Sequence, residues 1–160
     1  MLDISIPEIQ ELLPLMTEDE QRELFALLEA DMRSVVWRPL PGPQTLAYNS
    51  KADVLGYGGA AGGGKTDLMI GSALTRHTVS YVLRREATQM RGIYNRLFEI
   101  VGGRDGFNGA EKYYRTADGR MIQFGSTPHL GDEMAYQGQA RDLLGLDETS
   151  NFLEAQVRFL

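Results

Sequence analysis

The sequence predicts an α/β fold, a mostly parallel sheet flanked by helices and preceded by an acidic helical segment. Three observations predict it. Stretches of strand character alternate with stretches of helical period from residue 53 onward. Five of the seven residues from Gly58 to Gly64 are glycines, at the boundary between an apolar stretch and a helical one. A later apolar run, Leu143–Leu146, ends on two adjacent carboxylates, Asp147 and Glu148. Alternation of strand and helix implies parallel pairing, because the return crossing between parallel strands needs a helix to carry it.

Composition narrows the classes. The chain has 160 residues, 42% hydrophobic and 24% charged, which suits a single globular domain or part of a larger one. There is no cysteine, which excludes a disulfide scaffold and cysteine-based metal or redox chemistry. His77 and His129 are the only histidines, too few for an imidazole-rich metal centre. The apolar stretches fall short of the roughly 18–20 residues that span a bilayer. Asp3 and Glu8 stand where a secretory signal would carry basic residues. These features predict a soluble chain of the cytoplasm with no membrane partner. The formal net charge is −6, and residues 1–33 carry nine acids against two bases, so the remainder is close to neutral. Such a balance argues against a domain devoted to coating nucleic acid, which needs a concentrated basic face.

The elements follow in order. Residues 1–33 read as two short helices, an acidic amphipathic hairpin packed on the core of the main domain, residues 34–160, or else a docking surface for a partner subunit. Ile6, Ile9, Leu12 and Leu13 share a face until Pro14 interrupts it. Thr17 and Glu20 then form a capping box, with Glu18 and Asp19 at the positive end of the helix dipole. Residues 37–44, with three of the six prolines, read as an extended entry to the main domain. Residues 53–57 read as a strand, 65–76 as a helix, 79–84 as a strand and 86–101 as a helix closed by Gly102-Gly103. Residues 112–116 and 120–124 flank Ala117-Asp118-Gly119 and read as a hairpin. Leu143–Leu146 reads as a short strand, and Asn151 with Glu154 as the start of a last helix.

Gly59-Ala60-Ala61-Gly62-Gly63-Gly64-Lys65-Thr66 matches G-x-x-x-x-G-K-[ST] in full. Glycines let successive N–H groups turn inward as an anion-binding nest, and the following helix adds its positive end. Lys65 can then reach the β- and γ-phosphates of ATP, and Thr66 offers a hydroxyl to Mg²⁺. Asp147, at the end of a parallel strand, is placed to hold Mg²⁺, and Glu148 to orient or deprotonate an attacking water. An adjacent Asp-Glu differs from the Asp-x-x-Gly of switch GTPases and predicts a P-loop NTPase of the additional-catalytic-glutamate (ASCE) type. Gln44, 21 residues before Lys65, can pair two-pronged with adenine. Trp37 and Tyr48 can stack on a base, although packing suits each better. The Tyr113-Tyr114 hairpin, with Lys112, Arg115 and Arg120, reads as an ordinary surface hairpin before a DNA contact.

Over roughly residues 35–160 the chain resembles the N-terminal ATPase domain of the large terminase subunit of tailed bacteriophages. The resemblance rests on the Gln44 segment, the loop 59–66, Tyr81–Arg85, Met90-Arg91-Gly92, Phe124-Gly125-Ser126, Tyr136-Gln137-Gly138 and Leu146–Thr149, in that order. It implies an ATPase that drives double-stranded DNA into procapsids in the host cytoplasm. The implied partners are a portal protein, a small terminase subunit and a homo-oligomeric ring. Many members carry an arginine inside the phosphate loop where this chain has Ala60 and Ala61. A charge-stabilising arginine must then come from elsewhere, with Arg141 the first candidate and Arg84, Arg85 and Arg91 the others. Members also continue beyond the Asp-Glu helix into further strands and a nuclease domain. That domain is absent here, so the resemblance implies a truncated ATPase domain with an open sheet edge. Two alternatives stand beside the motor: a nucleotide-binding or assembly module without significant turnover, and another ATPase of the same class, such as a helicase.

Overall fold

A computed structural model of the chain describes residues 11–60 and 62–160, so Ile6, Ile9 and Ala61 fall outside the described residues. The chain divides into two compact units, Met1–Val36 and Trp37–Leu160. In the first, Pro14 sits in a 3₁₀ turn, Leu13–Leu15, and helix α1 follows over Glu18–Ser34. The capping box forms as the sequence predicts. The Thr17 N–H donates to Glu20 Oε2 at 2.8 Å, and the Glu20 N–H donates back to Thr17 Oγ1 at 3.4 Å.

The second unit is an α/β structure built on five strands. Its elements are α2 (Pro43–Tyr48), α3 (Lys65–Thr75), β1 (Val79–Arg84), α4 (Met90–Val101), β2 (Phe107–Asn108), β3 (Tyr113–Arg115), β4 (Met121–Ser126), β5 (Leu143–Leu146) and α5 (Glu154–Phe159). The sheet order is β2-β3-β4-β1-β5. β4, β1 and β5 are parallel, while β2 and β3 run antiparallel, so the sheet is mixed.

Two faces cover this sheet. Val82 of β1 and Ile122 and Phe124 of β4 meet Ile70, Ala73 and Leu74 of α3 and Ile93 and Leu97 of α4 in one buried cluster. Tyr81 points the other way, edge-on to Tyr136 with ring centroids 6.1 Å apart. The phenol end of Tyr136 lies over Gly125, where any side chain would overlap it. Gln156, wholly buried, donates from Nε2 to the carbonyls of Thr127 and His129, both at 2.8 Å, and so ties α5 to this second face.

Four sequence expectations change. Residues 53–57 are not a strand: among the described residues nothing pairs with them, and Val54 is 89% exposed. Strand geometry needs a ladder partner, which an apolar pattern cannot supply by itself. Residues 37–44 are not extended throughout, because α2 starts at Pro43, at the N-terminal position where a missing N–H costs nothing. The helix expected from residue 86 starts at Met90 behind a 3₁₀ turn, Ala87–Gln89. Asn151 does not cap the last helix. It closes a 3₁₀ turn, Thr149–Asn151, and Leu153 precedes α5. Among the described residues no helix is long and apolar enough to cross a membrane.

Candidate functional site

The glycine loop takes the conformation its composition invites. Gly62 and Gly64 hold φ of 81° and 70°, left-handed values that a side chain resists. Gly64 is the residue that opens α3, and the Leu68 N–H to Gly64 carbonyl bond, 2.9 Å, begins the helical ladder. The amides of Lys65, Thr66 and Asp67 therefore have no helical acceptor and concentrate positive potential at the loop. The Lys65 ammonium donates to the carbonyls of Gly59 and Ala60, both at 2.9 Å, so its charge lies across the mouth of the loop. The first turn of α3 is held from the side: Arg96 of α4 grips Asp67 with two bonds of 2.7 and 2.6 Å. Asp67 in turn is the main reason the Arg96 guanidinium titrates above its ordinary range.

Gln44 lies against the same loop and is 4% exposed. Its Nε2 donates to the Gly64 carbonyl at 3.0 Å, and its Oε1 accepts from the Leu40 N–H at 2.5 Å. Beside it opens a cavity of about 340 Å³, lined by Leu40, Pro41, Pro43, Tyr57, glycines of the loop and Gln44 itself. Trp37 and Tyr48 are occupied in packing. Trp37 covers Gly71, where a methyl group would strike the indole, and meets Tyr48 edge-on at 5.6 Å. Tyr48 also hydrogen-bonds Thr75 at 2.9 Å.

Asp147 reaches the same end and the same face of the sheet, with Glu148 next to it in the chain. Only three residues, Arg76–Thr78, join the end of α3 to the start of β1, so the helix runs back along the strands. Its N-terminus therefore points toward the C-terminal ends of the parallel strands β1 and β5. Gly145 pairs with Val82 and faces α3, where a side chain would collide with Met69. Asp147, two residues on, faces the same way by the alternation of the strand. Lys65 lies one helical turn before Met69, so both chemical groups sit at one end. The Asp147 N–H continues the ladder with a 2.9 Å bond to the Leu83 carbonyl.

Arg84 joins the acids. Its Nη2 is 2.8 Å from Asp147 Oδ2 and 3.0 Å from Glu148 Oε1. Asp147 is 6% exposed, and Oδ2 has this charge contact without a hydrogen bond of good geometry. Glu148 adopts φ of 53°, an unusual backbone for a side-chain-bearing residue, held by the Asn151 amide donating to Oε2 at 3.0 Å. Arg141 stands at the opposite end of β5, about 20 Å from Asp147 along an extended chain. It donates to the carbonyls of Tyr136 (2.8 Å) and Leu160 (3.0 Å), so Arg84 and not Arg141 is the arginine beside this chain's own acids. Arg85 donates to the Asn151 carbonyl at 2.8 Å, and Arg91 is exposed on α4. Tyr114 of the hairpin is buried in the core. Sequence reasoning placed Arg84 among finger candidates and missed its pairing with both carboxylates. Its one signal is a charged residue closing a mostly apolar strand.

Among the described residues there is no cluster of three or more His, Cys, Asp or Glu able to hold a metal by themselves. A buried carboxylate oxygen without a hydrogen bond, together with a threonine hydroxyl in the first turn behind the glycine loop, fits the sparse protein contribution that Mg²⁺ takes beside a nucleotide. No family model, no curated protein and no solved structure matches the chain.

Proposed function

We propose that this chain is an ATP-binding and ATP-hydrolysing domain of the P-loop ASCE type, part of a DNA-packaging motor similar to the large terminase subunit. What supports the reading is that the glycine loop, Gly59–Thr66, opens α3 at the same end of the sheet as the strand end that carries Asp147 and Glu148. The loop amides and Lys65 hold the triphosphate, whose charge they balance. Thr66 and Asp147 are the residues that would hold Mg²⁺. When bound, the ion neutralises charge on the phosphate oxygens. Glu148 accepts the proton of a water aligned with the γ-phosphate, and Lys65 stabilises the charge that develops there. Double-stranded DNA, a portal protein, a small terminase subunit and further copies in a ring are the partners this reading assigns, in the host cytoplasm.

A second reading, a nucleotide-binding or assembly module without turnover, is favoured by the contact of Arg84 with both acids, which engages the proposed base before any substrate arrives. Phosphate release with and without double-stranded DNA separates the two. The motor reading expects wild-type turnover stimulated by DNA and a loss of about 10²–10⁴-fold in Glu148→Gln with ATP still bound. Lys65→Ala is expected to lose ATP binding itself. Equal background release from wild type and Glu148→Gln would leave only the binding module.

A further inference from the structure

We infer that Gln44 is a positioning residue for the phosphate loop and not a reader of the base, so the site takes purine nucleoside triphosphates with little preference between adenine and guanine. The inference rests on the nucleotide reading above. A glutamine that reads adenine must present its carbonyl and its amide together to one edge of the base. In Gln44 both ends are engaged by main chain. Oε1 accepts from Leu40, and Nε2 donates to Gly64, the residue that starts α3. These bonds clamp the turn before α2 to the end of the glycine loop, across 20 residues of sequence. The side chain lines the cavity beside the loop but is only 4% exposed, and turning its amide toward a base would break both of these bonds. Gly64 answers the clamp: a Cβ there would run into the Gln44 amide, and its left-handed φ of 70° already disfavours one.

The cavity beside the clamp suits a base held by shape. Leu40, Pro41, Pro43 and Tyr57 give it apolar walls, and the Tyr57 hydroxyl is turned to the Gly63 carbonyl at 3.3 Å. Such walls grip the face of a flat ring and are indifferent to the exchange of an amino for an oxo group at its edge. A purine covers more of this surface than a pyrimidine. Discrimination between ATP and GTP is then expected to be within a few-fold, while Gln44 sets the affinity for the phosphates.

Inorganic tripolyphosphate, which has no base, separates the two roles. Its affinity with Mg²⁺ is measured beside those of ATP and GTP for wild type and Gln44→Met, which keeps the side-chain length and removes both hydrogen-bonding ends. The expected result is a loss of roughly tenfold, equal for all three ligands, with the ATP-to-GTP ratio unchanged. A loss confined to ATP, or no loss at all, overturns the inference while leaving the phosphate site intact. Wild-type protein that binds none of the three overturns the nucleotide reading and this inference together. Should Gln44→Met fold poorly, nitrogen-15 spectra of wild type carry the same test. The Gln44 side-chain amide is expected to shift alike with tripolyphosphate and with ATP, and a response to ATP alone would make it a base reader.

Discussion

One guanidinium nitrogen of Arg84 lies within 3.0 Å of oxygens from two carboxylates, Asp147 and Glu148, which would otherwise repel each other across adjacent positions. Asp147 is almost wholly buried and cannot use water instead. Removing the charge while keeping the volume, as in Arg84→Met, strands a carboxylate in a poorly solvated place. We expect a loss of about 2–3 kcal/mol in urea unfolding at neutral pH. Asp147→Asn in the same background should restore much of it, since the double variant removes the charge left unpaired. A cost below about 0.5 kcal/mol for Arg84→Met would place the pair among surface contacts of no consequence. The contact also constrains function. Any cation that approaches Asp147 must compete with Arg84, and that competition links the site's occupancy to the freedom of Glu148.

Between elements, the junction of α3, β1 and β5 is closed by Asp142. Its carboxylate accepts from the N–H groups of Thr78 at 2.7 Å and Val79 at 2.9 Å, with His77 Nδ1 at 3.8 Å. Burial raises its pKa, but the two backbone N–H bonds and the His77 charge outweigh that and hold it below the ordinary carboxylate range. A depressed folded-state pKa contributes stability that is complete above the unfolded value, about 3.9, and is lost as pH falls through the folded one. Asp142→Ala is therefore expected to cost about 1–2 kcal/mol near pH 7, with the gap to wild type narrowing only below about pH 4. A gap unchanged at pH 3 would mean the carboxylate's charge contributes nothing. This junction also marks how far the sequence reaches. β1 and β5 were legible because short apolar runs are buried by helices wherever they pair, and the capping box of α1 was legible because it is local. Residues 53–57 carry the same apolar signature but have no ladder partner among the described residues, and pairing is not a property of one segment. The site divides the same way. The loop and the acids announce themselves through local chemistry, whereas Arg84–Asp147 and Gln44–Gly64 span 63 and 20 residues and emerge only once the strands and the clamp are in place.

Across the second unit, stability is unevenly distributed, and the proposed ligand site lies at the weak end. The cluster of Ile70, Val82, Ile93, Leu97, Ile122 and Phe124 is buried on all sides, while Val54 and Leu55 of the arm before the loop are 89% and 50% exposed. β1 shares ladders with two strands, and the arm, among the described residues, shares none. Opening free energies follow such differences in burial and hydrogen bonding. Hydrogen exchange is therefore expected to show amides of β1 and β4 protected to the global unfolding limit, and those of residues 53–60 exchanging close to the rate of an open chain. Under the nucleotide reading, ATP with Mg²⁺ slows exchange at Gly62 and Gly64–Thr66, whose amides would turn to phosphate oxygens, and leaves the hairpin β3–β4 unchanged. A uniform slowing across the unit would indicate general stabilisation without a seat at the loop. No slowing at saturating ATP would remove the loop from consideration, because amides without an acceptor are what a bound triphosphate must satisfy.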